Sequence, residues 1–413
     1  MTRSTRLEVD LDAIAHNLSE LVRLLDAGPV SPSRSPRKRP LIAAVVKANA
    51  YGMGAAALAP TLVEGGADLL AVACLPEALE LRRVLPGARV LIMGHTPDEY
   101  LSLAVEKGIA VTIFDLRQAR ILSRAAAELR REAIAHAKID TGMNRLGLKP
   151  GPEAPELLAA MSRLTGLRIE GAFSHLALRD RDSDRRQFEL FGELLAEAAA
   201  LGAEFPIKHI CDSIGMMRYP EYRLDMVRVG AFLYGVKPLR TPLGESVEIR
   251  APFALATRIS RIRKLAEGEG VGYDATFIAP AGGSRIATLP IGYADGYMRC
   301  LSNKAQVLIR GKRAPVVGLI CMDQLTVDVG GIPEAEEGDE VLLLGRRARR
   351  PGSADAPGPA DAESAASGEI GVLELANWAG TNRNEIISAI GRRVPRVYLR
   401  GGSIVGSVDY LET

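Results

Sequence analysis

A chain of 413 residues with 47% hydrophobic content can bury a large core and predicts two domains. Its net charge is +2 with acids and bases mixed throughout, so no basic face is offered to nucleic acid. No apolar run reaches membrane-spanning length, the opening Met1–Arg6 lacks an apolar signal core, and Cys74, Cys211, Cys300 and Cys321 lie too far apart for a disulfide framework or a zinc site; the chain reads as cytoplasmic.

In chain order, residues 12–26 carry an apolar helical stripe at Ile14, Leu18, Leu21, Val22 and Leu25. Residues 28–40 form a Pro/Ser/Arg loop, read as solvated. From Leu41 the pattern alternates. Strand-like runs at 41–46, 69–73, 89–93, 110–114, 134–139, 168–174, 206–211 and 224–229 are separated by helical patterns, among them 53–65, 76–85, 97–107, 115–131, 153–164 and 184–201. Eight such repeats predict an α/β chain whose first domain, residues 1–245, is a (β/α)8 barrel. An open doubly wound sheet fits less well, because Gly52-Met53-Gly54 lacks the third glycine of the dinucleotide fingerprint. Residues 246–413 change texture to short β-branched runs at 254–264, 284–289, 305–309, 314–319, 325–329 and 340–344, with one helix at 371–391, and predict a β-rich C-terminal domain. Within it, 346–369 reads as an exposed low-complexity insertion with no role in chemistry.

The first barrel strand runs Leu41–Val46 into Lys47 and a Gly-rich turn. That places an amine at the carboxyl end of a parallel strand, where barrels put their chemistry. A desolvated lysine of lowered pKa attacks carbonyls to form a Schiff base. A lone strand-end lysine more often simply reaches solvent, so the other strand ends must decide. Lys138, Asp140 and Arg145 follow the fifth strand, His175 the sixth, Asp212 and Ser213 the seventh, and Arg228 with Gly230 closes the eighth. Singly, His175 reads as a core histidine, Ser213 as a helix cap and Arg228 as half of an ion pair. On one rim they form a site. Ser213 and the amides near Gly230 and Ala231 offer neutral donors to a phosphate, where barrels frequently hold one. A phosphate, an aldehyde-trapping lysine and an aromatic face together describe pyridoxal 5'-phosphate.

Four motifs then resemble the alanine racemase family over nearly the whole chain: Val45–Gly52, Lys138–Gly147, Pro290–Gly296 and Cys321–Gln324. The resemblance implies a pyridoxal-phosphate-dependent isomerase that interconverts L- and D-alanine with two bases, supplying D-alanine for peptidoglycan. It implies that Lys47 carries the cofactor and acts as one base. The second base is then Tyr273 of the other subunit in a homodimer with shared sites. It further implies Arg145 on the cofactor's phenolic oxygen and the substrate carboxylate, Arg228 at the pyridine nitrogen, and His175 supporting the ring. Tyr51 and Ser213 would hold the phosphate, Lys138 would carry a carbamate, Met322 would meet the substrate carboxylate from the partner, and Tyr293 would line the entrance. An arginine rather than a carboxylate at the ring nitrogen disfavours side reactions such as transamination. It also argues against a fold-related decarboxylase, while a non-enzymatic cofactor carrier would leave Tyr273 and Met322 idle.

The chain departs from the family pattern at several places. Asn384 stands where a phosphate-binding tyrosine is usual, which opens room for a hydroxymethyl group and raises serine as a co-substrate. Asp212 replaces an asparagine beside the dianionic phosphate and must point away from it. Met53, Asp274 and Leu319 replace a histidine, a glycine and an entrance arginine.

Overall fold

The computed structural model describes residues 3–28, 39–236, 247–346 and 368–411. The loop at 28–40, the insertion at 346–369 and the boundary near 245 lie almost wholly outside them. Strand β1, Arg6–Asp10, precedes a helix over Leu11–Asp26 whose N-cap is the Asp10 carboxylate, accepting from the amides of Asp12 and Ala13. Eight parallel strands follow: β2 Leu41–Val45, β3 Leu69–Val72, β4 Val90–Ile92, β5 Ala110–Ile113, β6 Ala133–Lys138, β7 Leu167–Phe173, β8 Ile207–His209 and β9 Met226–Val229. Their order is β8-β7-β6-β5-β4-β3-β2-β9, and the seam between β8 and β9 is sealed by the Arg228 amide donating to Cys211 O at 3.1 Å and the Asp225 amide to Lys208 O at 3.0 Å. The result is the expected barrel, with apolar strands buried on both faces and helices outside.

The β-rich part holds β10 Phe253–Arg258, β11 Arg261–Leu265, β12 Gly270–Val271, β13 Phe277–Ile278, β14 Ser284–Leu289, β15 Gln306–Ile309, β16 Lys312–Pro315, β17 Leu325–Asp328, β18 Glu340–Gly345, β19 Arg396–Arg400 and β20 Ser403–Val408. They form a seven-stranded sheet ordered β16-β15-β18-β10-β1-β19-β20, a three-stranded sheet β11-β14-β17 and the hairpin β12-β13. The run expected over 254–264 breaks into two strands of different sheets: β10, buried but for Arg258, pairs with β1 and β18, whereas the largely exposed β11 pairs with β14. The helix expected over 371–391 is two, Val372–Ala379 and Arg383–Ser388. Gly380 ends the first at φ 71°, and Asn382 caps the second through the Glu385 amide at 3.0 Å.

Sequence reading marked neither β1 nor the final pair β19 and β20. β1 sits in the seven-stranded sheet between β10, antiparallel, and β19, parallel, so the chain's first strand belongs with its last ones. Arg396 of β19 is fully buried and donates to four carbonyls, those of Gly52, Ile390, Gly391 and Val394. It thereby ties the turn after β2 to the β-rich sheet. Replacing it leaves those buried acceptors unsatisfied, at about 1–3 kcal/mol for each one that water cannot reach. Arg396→Met is expected to lower the unfolding free energy from urea titration by about 2–6 kcal/mol, seen as a lower midpoint; a midpoint equal to wild type would show that this brace contributes nothing.

Candidate active site

The chain leaves β2 at Lys47 and immediately turns left-handed. Ala48, Asn49, Ala50 and Tyr51 all have φ between 52° and 57°, and Gly52 follows at 84°. Left-handed turns cost most L-residues roughly 1–2 kcal/mol each, and only Gly52 and, to a lesser degree, Asn49 are suited to one. Neighbours hold the turn in place. The Glu77 carboxylate accepts from the Ala48 amide at 2.6 Å and from the Ala73 amide at 2.8 Å. The Asn49 side chain donates to the Tyr410 hydroxyl at 2.9 Å and accepts from the Ala55 amide at 2.9 Å. Gly52 packs so close to Ile387 that a Cβ there would lie 2.6 Å from its carbonyl oxygen. Sequence reading passed over Glu77, a helix-face glutamate whose pairing with two backbone amides has no sequence signature.

Lys47 lies at the open rim, exposed by area, yet enough protein surrounds its amine that burial lowers its pKa. Arg145 and Arg228 push the same way, against the pull of Glu77 and Asp212. Arg228 itself is buried, and burial draws its pKa down to about 10, so it stays charged at neutral pH. Its Nη1 donates to His209 Nδ1 at 2.8 Å, and its Nη2 lies within 2.8–3.1 Å of Ser174 O, Ile210 O and His175 Nδ1. One hydrogen on Nη1 and the one on Nε are then without a partner among the described residues, donors suited to a ring nitrogen. Burial, then Arg228, Lys138, Arg145 and Lys47, hold His175 down at about 3, so it is a neutral acceptor.

The expected phosphate end also comes together. Half-buried Tyr51 stands with its ring 4.7 Å from that of Tyr234, and a Cβ on Gly230 would lie 2.5 Å from the Tyr51 hydroxyl. Glycine at 230 is what lets that phenol reach the end of β9. Ser213 is buried and its hydroxyl accepts from the Gly230 amide at 3.2 Å. The neighbouring Ala231 amide has no acceptor among the described residues. Asp212 points its carboxylate back into its own short helix, accepting from Ile214 and Gly215 at 3.0 and 2.8 Å, as the sequence required.

Lys138 is buried with its amine 4.8 Å from the centre of the Phe173 ring and 3.4 Å from Ile139 O. Burial and then Arg228 bring its pKa down to about 7. Asp140 folds the following loop around itself, accepting the amides of Gly142, Asn144 and Arg145 at 2.9–3.0 Å. Arg145 is thus presented at the rim, exposed. Donors, lysine, arginines and aromatic face therefore fit an anionic aromatic aldehyde.

Tyr273, Met322 and Tyr293 lie elsewhere. They are 69%, 53% and 41% exposed, on adjoining turns of the β-rich part. The Tyr293 and Ala294 amides donate to Cys321 O and Met322 O at 3.1 Å, and a Cβ on Gly272 would lie 4.0 Å from Leu319 O. None of the groups that shift Lys47 comes from these turns. Asn384 is exposed on the helix Arg383–Ser388, the one carrying Ile387 against Gly52.

Comparison with known proteins agrees with this layout. The family described as alanine racemase, N-terminal domain, matches residues 9–238, and that described as alanine racemase, C-terminal domain, matches residues 253–362. The chain belongs to the alanine racemase family. It is similar to alanine racemase 2 of Caldanaerobacter subterraneus subsp. tengcongensis, 39% identical over 99% of this chain and 98% of that protein. It is 39% identical to the alanine racemase of Symbiobacterium thermophilum, covering 96% and 97%. Among solved structures, alanine racemase of Clostridium difficile 630 superposes with a TM-score of 0.87 at 32% identity over 100% of both chains. That of Bacillus anthracis with bound L-Ala-P gives 0.84 at 30% identity, over 100% and 99%. Family membership makes the protein an isomerase, and no helix among the described residues is long and apolar enough to cross a membrane.

The electrostatics of this rim can be measured directly. With lysine side chains carbon-13 labelled and carbon dioxide excluded, so that the amine is free, Lys138 is expected to titrate near pH 7. Arg228→Leu removes the neighbouring charge and should move that midpoint upward; a Lys138 midpoint near the ordinary lysine value in the wild type would refute the crowding of positive charge.

Proposed function

We propose that this protein interconverts L- and D-alanine using pyridoxal 5'-phosphate bound at Lys47, and that each site is completed by Tyr273 of a second copy of the chain. The observation that carries the reading is a strand-end lysine of lowered pKa within electrostatic reach of Arg228, whose spare donor suits a pyridine nitrogen, on a rim that also holds the Tyr51–Ser213–Gly230 cradle. We divide the chain into a barrel that binds the cofactor and a β-rich unit that serves the partner's site, with β1 assigned to the second.

When bound, the cofactor supplies an aldehyde for the amino group and a conjugated ring that spreads the electron pair left by the departing α-proton. The chain's own residues do the rest. Tyr51, Ser213 and the Ala231 amide hold the phosphate. Arg228 would donate to the ring nitrogen and, with a pKa of about 10, keep its own proton. Arg145 holds the substrate carboxylate by its planar fork, and the partner's Met322 approaches the same carboxylate. Lys47 takes or returns a proton on one face of the substrate Cα. The partner's Tyr273 does so on the other face, since inversion needs one proton removed and another delivered from the opposite side. The partner's Tyr293 lines the approach. Lys138, with a pKa of about 7, has a neutral fraction that could form an N–C bond to carbon dioxide and release one N–H proton to solvent, and the resulting carbamate would place a negative charge beside Arg145 and Arg228.

Shared sites make a quantitative claim. Lys47→Ala and Tyr273→Phe chains are each expected to lose all but a trace of racemisation. When mixed, dissociated and reassociated, they should recover about a quarter of wild-type activity, because half of the random dimers carry one intact site. No recovery would place both bases in one chain. Asn384 favours a wider substrate range, since an amide leaves room and donors where a tyrosine would form a wall. Asn384→Tyr is expected to lower kcat/KM for L-serine about ten-fold relative to L-alanine, the size of one lost pocket contact. An unchanged ratio would show that this position does not meet the substrate.

A further inference from the structure

Arg228 is the inner end of a longer chain of buried polar groups. Its Nη1 donates to His209 Nδ1 at 2.8 Å; His209 Nε2 lies 3.0 Å from His136 Nδ1; His136 Nε2 lies 3.4 Å from Glu170 Oε2. Both histidines are fully buried. The outer carboxylate is held by Arg89 at 2.9 Å and Arg168 at 3.0 Å, two half-exposed arginines at the amino-terminal end of the barrel. From Arg228 the chain crosses three further strands, β8, β6 and β7.

The backbone is shaped around it. The register of β6 on β7 shifts between Ala135 and His136: Ala135 pairs with Ile169 and His136 with Gly171, so Glu170 is the extra residue of a bulge. Bulges re-aim a side chain, and here the one re-aimed carries the carboxylate. Gly171 has an ordinary negative φ, so its lack of a side chain is a matter of space: a Cβ would lie 2.8 Å from His136 Nδ1 and 2.4 Å from Ile207 O. His209 stacks on Phe173 with centroids 4.8 Å apart and planes 5° from parallel.

Proton polarity along the chain is fixed by chemistry. A guanidinium only donates, so His209 Nδ1 must accept and its proton sits on Nε2. That nitrogen then donates to His136 Nδ1, and His136 Nε2–H donates to Glu170. Neither imidazole can take a second proton without setting two donors against each other. We infer that Glu170 is a positioning residue for the reaction: through His136 and His209 it fixes the tautomers that hold the Arg228 fork, and so the donor presented to the cofactor. The inference rests on the placement of Arg228 at the ring nitrogen proposed above. The two histidines act as rigid spacers of one polarity, and the negative end sits well away from the cofactor, where it does not neutralise the guanidinium.

The test is nitrogen-15 NMR of the full chain labelled at histidine and arginine, with and without pyridoxal phosphate, in wild type, Glu170→Ala and Glu170→Asp. Wild-type His136 and His209 should each be a single Nε2–H tautomer across roughly pH 6 to 9, the range in which histidine ordinarily titrates and just above. Glu170→Ala should mix the tautomers at His209, which it does not touch, shift the Arg228 Nη signals, and lower kcat about ten-fold with KM nearly unchanged. Glu170→Asp keeps the carboxylate and should restore part of each. A carboxylate that merely stabilised the fold would leave His209 in one tautomer. A proton on Nδ1 of either histidine in the wild type overturns the relay and needs no variant to fold; an unaltered His209 in folded Glu170→Ala does the same. Arg228 signals indifferent to added pyridoxal phosphate would instead refute the placement of the ring nitrogen, because the histidine readouts do not depend on the cofactor.

Discussion

The rim of this barrel is organised by a buried positive charge that no carboxylate touches. Arg228 is held by two carbonyl oxygens and two neutral imidazoles, and its field reaches the whole site. After burial, it is the leading influence holding down both Lys138 and His175, and it acts with Arg145 on Lys47. A conventional Arg–Asp pair would satisfy the guanidinium and cancel this field. The surplus of positive charge suits a ligand bearing a phosphate and a substrate bearing a carboxylate. It also favours the uncharged amine that attack on a carbonyl needs.

A second constraint is mechanical. Four consecutive L-residues in the left-handed region cost roughly 4–8 kcal/mol in sum if each costs about 1–2, and such a turn persists only when its surroundings over-determine it. Much of the bracing comes from the far end of the chain: Arg396 on Gly52 O, the Tyr398 hydroxyl on Met53 O at 3.1 Å, and Ile387 against Gly52. Gly54 adjoins the same tyrosine so closely that a Cβ there would overlap its hydroxyl. The C-terminal strands thus fix the conformation of the residues that follow Lys47, and a perturbation of either unit is felt at the amine.

Much of this was legible in the sequence, for identifiable reasons. Parallel strands buried on both faces read as continuous apolar runs, so the barrel strands are predicted to within a few residues, and with them the rim positions of Lys47, Lys138, His175, Ser213 and Arg228. β1 escaped because Arg6–Asp10 alternates over only five residues and its partners lie hundreds of positions away. The break in the terminal helix needed the left-handed backbone of Gly380. Within the site, the chain from Glu170 to Arg228 was invisible for another reason. His136 and His209 sit inside strands, where a histidine reads as core, and a bulge that re-aims Glu170 has no pattern that periodicity detects. The sequence marks which residues reach a rim, whereas hydrogen-bond polarity emerges only once strands are laid side by side.

The separation of the two halves of the site follows from the same physics. In the proposed reaction a proton donor that meets the reverse face of the substrate Cα cannot come from the strand ends assigned to the cofactor, because those ends all lie on one rim. Tyr273 stands instead on a turn whose backbone is left-handed at Gly272, Asp274 and Ala275, exposed and buttressed by the segment around Gly318 and Leu319. At Asp274 and Ala275 such a backbone costs about 1–3 kcal/mol per residue, and in the proposed dimer it would aim the exposed Tyr273 at the partner's site. Met322 and Tyr293, on the turns beside it, form with it a compact group of exposed apolar side chains. Set over the positive rim of a second barrel, that group would exclude water just where the rim's charge has most effect, since fields strengthen as the local dielectric falls. In the proposed dimer the exposed face of one unit and the uncompensated charge of the other would be complementary halves of one site, each left incomplete by the chain that carries it.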